Sequence, residues 1–303
     1  MPELPEVRLY LHALEPRVVG HTLEKVRVRS PSLLRTYDPP LSATFGRRVV
    51  ALRSVGKRIV FDLGDELYLS IHLMIAGRFR WNDAAGAAIP GKVGHAAFDF
   101  DAGTLLLVEA ATKKRAALHV VRGESGLAEL DRGGIDPLMV RLDAFSRALT
   151  RENHTVKRAL TDPRLLSGIG NAHSDEILWR ARLSPFQRTR QLSAAEMQTL
   201  YTETRAELLE WIERLQSEAR DKFPAKVTAF HPAMAVHGKF REPCPRCGTS
   251  IQRVVHGEHE TNYCPTCQTD GKLLRDRALS KLLGEDWPRT VEELEEGFTN
   301  GAA

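Results

Sequence analysis

Cysteine is scarce in this chain, with four among 303 residues. Long apolar runs are missing altogether: no stretch reaches the roughly 20 residues that a membrane-spanning helix needs. The opening residues carry Glu3 and Glu6 where a secretory leader would be basic, so a cytoplasmic chain without a membrane partner is expected. Strong charge of either sign is also lacking, since 43 Lys and Arg against 39 Asp and Glu leave only +4. Hydrophobic content of 42% and charged content of 27% are ordinary for a globular protein. The small basic excess is unevenly spread. From Gly284 onward there are six acids and one arginine, which leaves +9 on the rest and favours a polyanionic partner.

The few cysteines are concentrated in one segment, as Cys244-Pro-Arg-Cys247 and Cys264-Pro-Thr-Cys267. The spacing C-x2-C-x16-C-x2-C is that of a tetrahedral zinc site. Two disulfides are the alternative, and a reducing cytosol argues against them. No cysteine is left over, so the expected Zn2+ is single and structural, with every ligand position filled. Ser250–Val255 and Thr261–Tyr263 read as a hairpin whose tip is His256-Gly-Glu-His259-Glu.

The chain is organised around Leu165 to Pro185. Gly168-Ile169-Gly170 permits a tight turn with Ile169 tucked inward, Asn171 has N-cap chemistry, and Ala172–Arg182 reads as a helix ending before Pro185. Val156–Leu160 and Leu165 supply the apolar face of a preceding helix. Helix, glycine turn and helix together place backbone N–H groups at a helix mouth, where a phosphodiester fits. A plain helical hairpin has the same pattern.

At the start, Met1-Pro2-Glu3-Leu-Pro5-Glu6-Val7 carries two readings that can hold together. One is a helix start, with Pro5 in the first turn, acids at the positive end, and Val7, Leu11, Leu14 and Val18 at helical spacing. The other is chemical. A small second residue lets the initiator methionine be removed, exposing Pro2 as a secondary amine able to attack a sugar carbon and form an iminium ion. Glu3 beside it suits a general acid or base.

From Thr22 to Val121 short alternating or apolar runs are separated by turn signals, as in a β-sandwich or flattened barrel. The runs are Val26–Val28, Val49–Leu52, Ile59–Leu63, Leu67–His72, Arg78–Trp81, Ala97–Phe100, Leu105–Val108 and Ala117–Val121. Ala84–Gly94 reads as a loop, and Lys57 follows Gly56 at a strand start. Glu152–Glu218 reads as helical, with a Ser193/Glu196 capping box before Met197–Trp211. Ala219–Val236 reads as irregular, and Leu273–Leu283 as a short basic helix before an acidic end.

In that order, Pro2-Glu3-Leu-Pro-Glu6-Val, Lys57, His72-Leu73, Gly168-Ile-Gly170-Asn171 and a terminal four-cysteine hairpin resemble the formamidopyrimidine-DNA glycosylase/endonuclease VIII family. The resemblance covers roughly residues 1–270. It implies a mixed α/β, multidomain fold: an N-terminal antiparallel β-sandwich with a flanking helix (1–135), a helix-two-turn-helix domain (150–236) and a zinc finger (237–270), with 271–303 as an extension. It further implies a monomeric, nucleoid-associated enzyme of base excision repair, a bifunctional DNA glycosylase and lyase acting on damaged DNA. By motif, Pro2 would be the nucleophile and Glu3 the proton carrier. Lys57, His72 and Asn171, beside Gly170, would hold phosphates. Glu6 and Glu176 would be supporting acids near the amine.

Three departures from the family pattern bear on substrate range. The void-filling methionine expected within His-Leu-Gly-Met-Ser-Gly is replaced by Ile75, or displaced to Met74. The loop that supplies two further plug residues is Ala111-Thr-Lys-Lys-Arg115-Ala116, without its aromatic wedge. The arginine expected near the finger tip is His259, which grips phosphate less reliably. A lesion-binding protein with little turnover is the alternative function. The presence of Pro2, Glu3 and Lys57 favours the enzyme.

Overall fold

Period-two alternation in the first half of the chain does fold into antiparallel sheets. The computed structural model describes residues 1–228, 230–257, 259–275, 284 and 288–294, without the side chains of His256 and His259. Two compact units divide the chain: Met1–Gly134 with Leu209–Ala229, and Ile135–Leu208 with Phe230–Ala303.

The first unit opens with α1 (Leu4–Val18), followed by β1 (Thr22–Val28), β2 (Arg47–Arg48), β3 (Ala51–Val55), β4 (Arg58–Asp62), β5 (Leu67–His72), β6 (Gly77–Asn82), β7 (Gly94–Phe100), β8 (Gly103–Glu109) and β9 (Ala117–Arg122). These strands form a five-stranded sheet, β2-β1-β7-β8-β6, and a four-stranded sheet, β3-β4-β5-β9. β7 and β8 are buried along their whole length and carry Phe98, Phe100, Leu105 and Leu107 into the core. Phe61 of β4 stacks on Phe100 of β7 at 6.4 Å between ring centroids, which joins the two sheets face to face. The short helix α2 (Gly123–Ala128) covers a satellite cluster of Val60, Tyr68, Val121 and Leu127 on the outer face of the four-stranded sheet.

α1 lies against this core through Val7, Tyr10, Leu14 and Val18, all fully buried. The Tyr10 hydroxyl accepts the Phe79 N–H at 3.2 Å, and burial pushes its pKa up to about 12. The tyrosine therefore stays neutral and acts as a fixed strut.

The second unit contains α3 (Leu142–Thr150), α4 (Val156–Thr161), α5 (Asn171–Ala181), the first part of α6 (Ala194–Ala219), the hairpin β10 (Gln252–His256) and β11 (His259–Tyr263), and α7 (Pro265–Thr269). The Ser193/Glu196 capping box forms as expected: Ser193 N–H donates to Glu196 at 2.7 Å and Glu196 N–H to the Ser193 hydroxyl at 3.2 Å. Gly168 takes φ +86, the left-handed backbone that L side chains avoid, and this turns the chain from α4 into α5. Asn171 is the first residue of α5, and Gly170, in extended conformation, is its N-cap. This corrects the expected capping role of Asn171: its amide is used elsewhere.

Among the described residues no helix is long and apolar enough to cross a membrane. Of the expected helix over Leu273–Leu283, residues 273–275 are irregular and the remainder, with most of the acidic end, lies outside the described residues.

Candidate active site and nucleic-acid interface

Glu3 caps α1 while Glu6, three residues on, reaches back to accept the Glu3 N–H at 2.7 Å. The two carboxylates form a reciprocal capping box at the helix's positive end, each only 2% exposed. Pro2 is buried beside them. Lys57 enters through the β3–β4 hairpin, where Val55 pairs with Arg58 and Gly56 takes φ +59 in a two-residue turn. The Lys57 side chain keeps some surface open, but its ammonium is enclosed. Burial lowers its pKa, and the charges of Glu3 and then Glu6 oppose that shift.

The α-amine of Met1, which precedes Pro2, has its pKa lowered as well. Burial is the main cause, Arg78 and Lys57 push the same way, and Glu3 and Glu6 oppose it. Arg78 was not singled out from the sequence because it sits in an ordinary strand pattern. Its guanidinium is fixed by the carbonyls of Val227, Gly77 and Ile75. The site therefore combines a deprotonation-prone amine, two buried carboxylates and two cations. That set can add an amine to an electrophilic carbon and shuttle protons.

His72 ends β5 opposite Arg58. Its Nδ1 accepts the Met74 N–H at 2.9 Å, which leaves Nε2 to carry the hydrogen. Burial, with Arg58, Lys57 and His119 nearby, holds its pKa down to about 4. It is thus a neutral donor at physiological pH. Beyond it Leu73 to Gly77 form a tight turn closed by the Gly77 N–H on the Leu73 carbonyl at 2.9 Å. A Cβ on Gly77 would sit 2.3 Å from that carbonyl oxygen, so only glycine fits. Met74 occupies the left-handed position at φ +54, while Ile75 stands 48% exposed at the tip. Of the two wedge candidates, the turn presents Ile75.

Arg115 lies in a loop hung from one buried carboxylate. Glu109 accepts the N–H of Arg115 at 3.0 Å and of Ala116 at 3.2 Å, and His95 Nε2 lies 3.0 Å from it. The side chains of this loop are short or basic, with no aromatic among them.

In the second unit Asn171 donates its side-chain amide to the Glu260 carbonyl of β11 at 2.7 Å, tying the start of α5 to the zinc hairpin. Glu176 accepts three backbone N–H groups, from Ala235, Val236 and His237, at 2.8 to 2.9 Å. Its observed occupation is therefore to anchor the stretch after α6, although burial and then Glu207 raise its pKa. Below it runs a buried network that sequence reading missed. The Lys157 ammonium donates to Ser174 Oγ at 3.1 Å, to the Asn171 carbonyl at 3.2 Å and to Asp175; Asp175 also meets His237 Nδ1 at 2.8 Å and Asn262 at 3.4 Å. Lys157 sits among apolar helix positions, which was its only signal. The His259 side chain lies outside the described residues.

The four cysteine sulfurs lie within 4.8 Å of one another. Four ligands about 2.3 Å from one ion stand that close, so the cluster holds a structural Zn2+. The Gly248 N–H donates to the Cys244 carbonyl at 2.9 Å and Cys264 caps α7, so local backbone hydrogen bonds help set the directions of the cysteine side chains. Trp179 donates its indole N–H to Cys244 Sγ at 3.4 Å, linking the metal site to α5.

A family model described as "Formamidopyrimidine-DNA glycosylase N-terminal domain" matches residues 1–115. "Formamidopyrimidine-DNA glycosylase H2TH domain" matches 134–222, and "Zinc finger found in FPG and IleRS" matches 241–269. The formamidopyrimidine-DNA glycosylase of Thermus thermophilus is 34% identical over 278 residues, covering 89% of this chain and all of that protein. The crystal structure of the MutM (Fpg) protein from Thermus thermophilus gives a TM-score of 0.75 at 32% identity, over 88% of this chain and 98% of that one. Lactococcus lactis formamidopyrimidine-DNA glycosylase, bound non-covalently to DNA with an AP site, gives 0.76 at 26% identity over 88% and 99%.

Proposed function

Because the chain belongs to the formamidopyrimidine-DNA glycosylase family, we propose that it excises damaged bases in base excision repair through its terminal amine and then nicks the strand. The observation that carries the reading of the site is the buried end of α1, where Pro2, Glu3 and Glu6 are buried together and where both the Met1 amine that precedes Pro2 and the Lys57 ammonium have lowered pKa values. With Met1 removed, the Pro2 nitrogen uses its lone pair to attack the deoxyribose C1′ of a damaged nucleotide. The glycosidic bond breaks and its electrons leave with the base, which takes up a proton. Ring opening, with Glu3 carrying the proton, gives an iminium between Pro2 and the sugar. Loss of a C2′ proton then expels the 3′ phosphate by β-elimination, with δ-elimination as the following step. Glu6 holds the Glu3 backbone in place.

Residues 1–135 carry the chemistry in this reading. Residues 150–236 and 237–270 grip the DNA, and 271–303 are an added tail. Lys57, neutral His72 and Asn171 take backbone phosphates, Glu176 supports the 235–237 stretch, and Ile75 fills the space left by the flipped base. Arg115 in place of an aromatic wedge weakens that filling, so lesions already unstacked are the preferred substrates. The enzyme acts as a monomer on the cytoplasmic nucleoid.

Borohydride should trap the chain on abasic DNA, with mass spectrometry placing the adduct on Pro2 and Met1 absent. An adduct on Lys57 would overturn the nucleophile assignment. The absence of any adduct would leave a lesion-binding protein.

A further inference from the structure

The outer face of the four-stranded sheet carries a row of cations that the chemistry above does not use. Directly opposite residues on antiparallel strands share a face, so Arg58, His72 and Ala117 stand together, and Ser70 and His119 stand together one step along. Arg58 Nη1 lies 3.4 Å from His119 Nδ1. Arg35, whose N–H donates to the Leu118 carbonyl at 2.9 Å, brings a further exposed guanidinium beside His119. Arg132, also exposed, adds its charge to the surroundings of Arg58.

Among the described residues no carboxylate forms an ion pair with this group. Arg58 is half-buried, and among the described residues it makes no ion pair; its side chain meets only the His119 ring. The Ser70 hydroxyl beneath is buried without a hydrogen-bond partner among the described residues. The face's own acids stand at its far end, where Glu124 is committed to Arg53 and Tyr68, and Asp62 to the Gly64 N–H. Partly desolvated guanidinium without an anion is costly, and the cost is recovered when an anion arrives. His119 lies two residues along β9 from Ala117, the residue opposite His72, a rise of about 6.8 Å. That step is close to the separation of neighbouring phosphates on a nucleic-acid strand.

We propose that Arg58, His119, Arg35 and Arg132 form a second phosphodiester subsite, one or two phosphates further along the strand than the phosphate at Lys57 and His72. It rests on the DNA-binding reading above and extends its footprint. The arginines carry the charge. His119, held down to about 4 by burial with Arg58 and Arg35, contributes a neutral ring that orients Arg58.

The test uses the full zinc-loaded chain and a 25-base-pair duplex with a central tetrahydrofuran abasic analogue. A series of duplexes replaces single phosphates with neutral methylphosphonates. Arg58→Gln should weaken binding about five- to twentyfold, and the exposed Arg35→Gln and Arg132→Gln variants two- to fivefold. Each should flatten the slope of log affinity against log salt by about 0.9. One methylphosphonate position beyond the Lys57/His72 phosphate should weaken the wild type and leave Arg58→Gln unaffected. Wild-type affinity and salt slope in all three variants would overturn the subsite. So would a loss in Arg58→Gln that adds independently to every methylphosphonate, since that loss would be structural. If the wild type itself fails to bind the abasic duplex, the DNA reading falls, an outcome distinct from either.

Discussion

The two units each bury a lysine against carboxylates, and they do so to opposite ends. Lys157 delivers its ammonium to three acceptors, the Asn171 carbonyl, Ser174 and Asp175, and Asp175 is in turn held by His237 and Asn262. Charge there is matched donor by acceptor. Lys57 has Glu3 and Glu6 as neighbouring charges, but burial dominates and its charged form is disfavoured. The first arrangement joins α4, α5 and the zinc hairpin. The second leaves a buried cation disfavoured at the capped start of α1, the site proposed above for the chemistry. Of these two lysines, the matched one ties elements together and the mismatched one stands at the site proposed for the chemistry.

The comparison can be broken most severely at the zinc. Cys264→Ser should lose the ion and unfold the hairpin, as structural zinc contributes on the order of 10 kcal/mol in small fingers. Asn262 would then leave Asp175, and Asn171 would lose Glu260. Metal analysis and DNA affinity should fall together, and normal DNA binding by a metal-free variant would show that the hairpin is not a docking element. Next in size is Asp175→Asn. It strands a buried ammonium and should cost about 3–5 kcal/mol by denaturant unfolding. Turnover per folded molecule should change little.

Lys57→Met should do the reverse. Loss of the phosphate contact proposed for Lys57 should lower activity roughly 10- to 100-fold. Stability at pH 7 should rise by roughly 1 kcal/mol, because a disfavoured buried charge is gone. The unfolded chain binds the Lys57 proton more tightly than the folded one. Wild-type stability therefore climbs with pH between the lowered value and the ordinary 10.5, and the gap to Lys57→Met closes across that window. A gap that widens with pH would reverse the comparison. The smallest effect concerns His72. With its pKa near 4, it contributes no change in DNA affinity between pH 6 and 8, so wild type and His72→Gln should show parallel pH profiles there. Divergent profiles would place its titration in the physiological range.

Local chemistry was legible in the chain itself. The cysteine spacing, the Ser193/Glu196 box, the Gly168 turn and eight strands follow from near neighbours, and the structure places them within a few residues of expectation. Long-range partners were not legible. Glu176 spends its carboxylate on N–H groups about 60 residues downstream, and Asp175 meets Asn262 across 87 positions. Asn171 looked like a cap because capping is a local rule, yet its amide goes to the Glu260 carbonyl. Short elements such as α2 and α7 are helical through tertiary cover more than through propensity. The Arg58–His119 row stayed hidden because cross-strand register, which no single stretch encodes, brings it together.

Glu109 holds the 110–116 loop through both its carboxylate and its carbonyl, the latter accepting the Lys114 ammonium at 2.7 Å. Its buried carboxylate takes two consecutive N–H groups at the loop's far end, and the segment from Ala110 through Lys114 contributes little to the sheets. Such a loop is an interchangeable cassette: residues at its tip can drift without cost to folding while the Glu109 contacts remain.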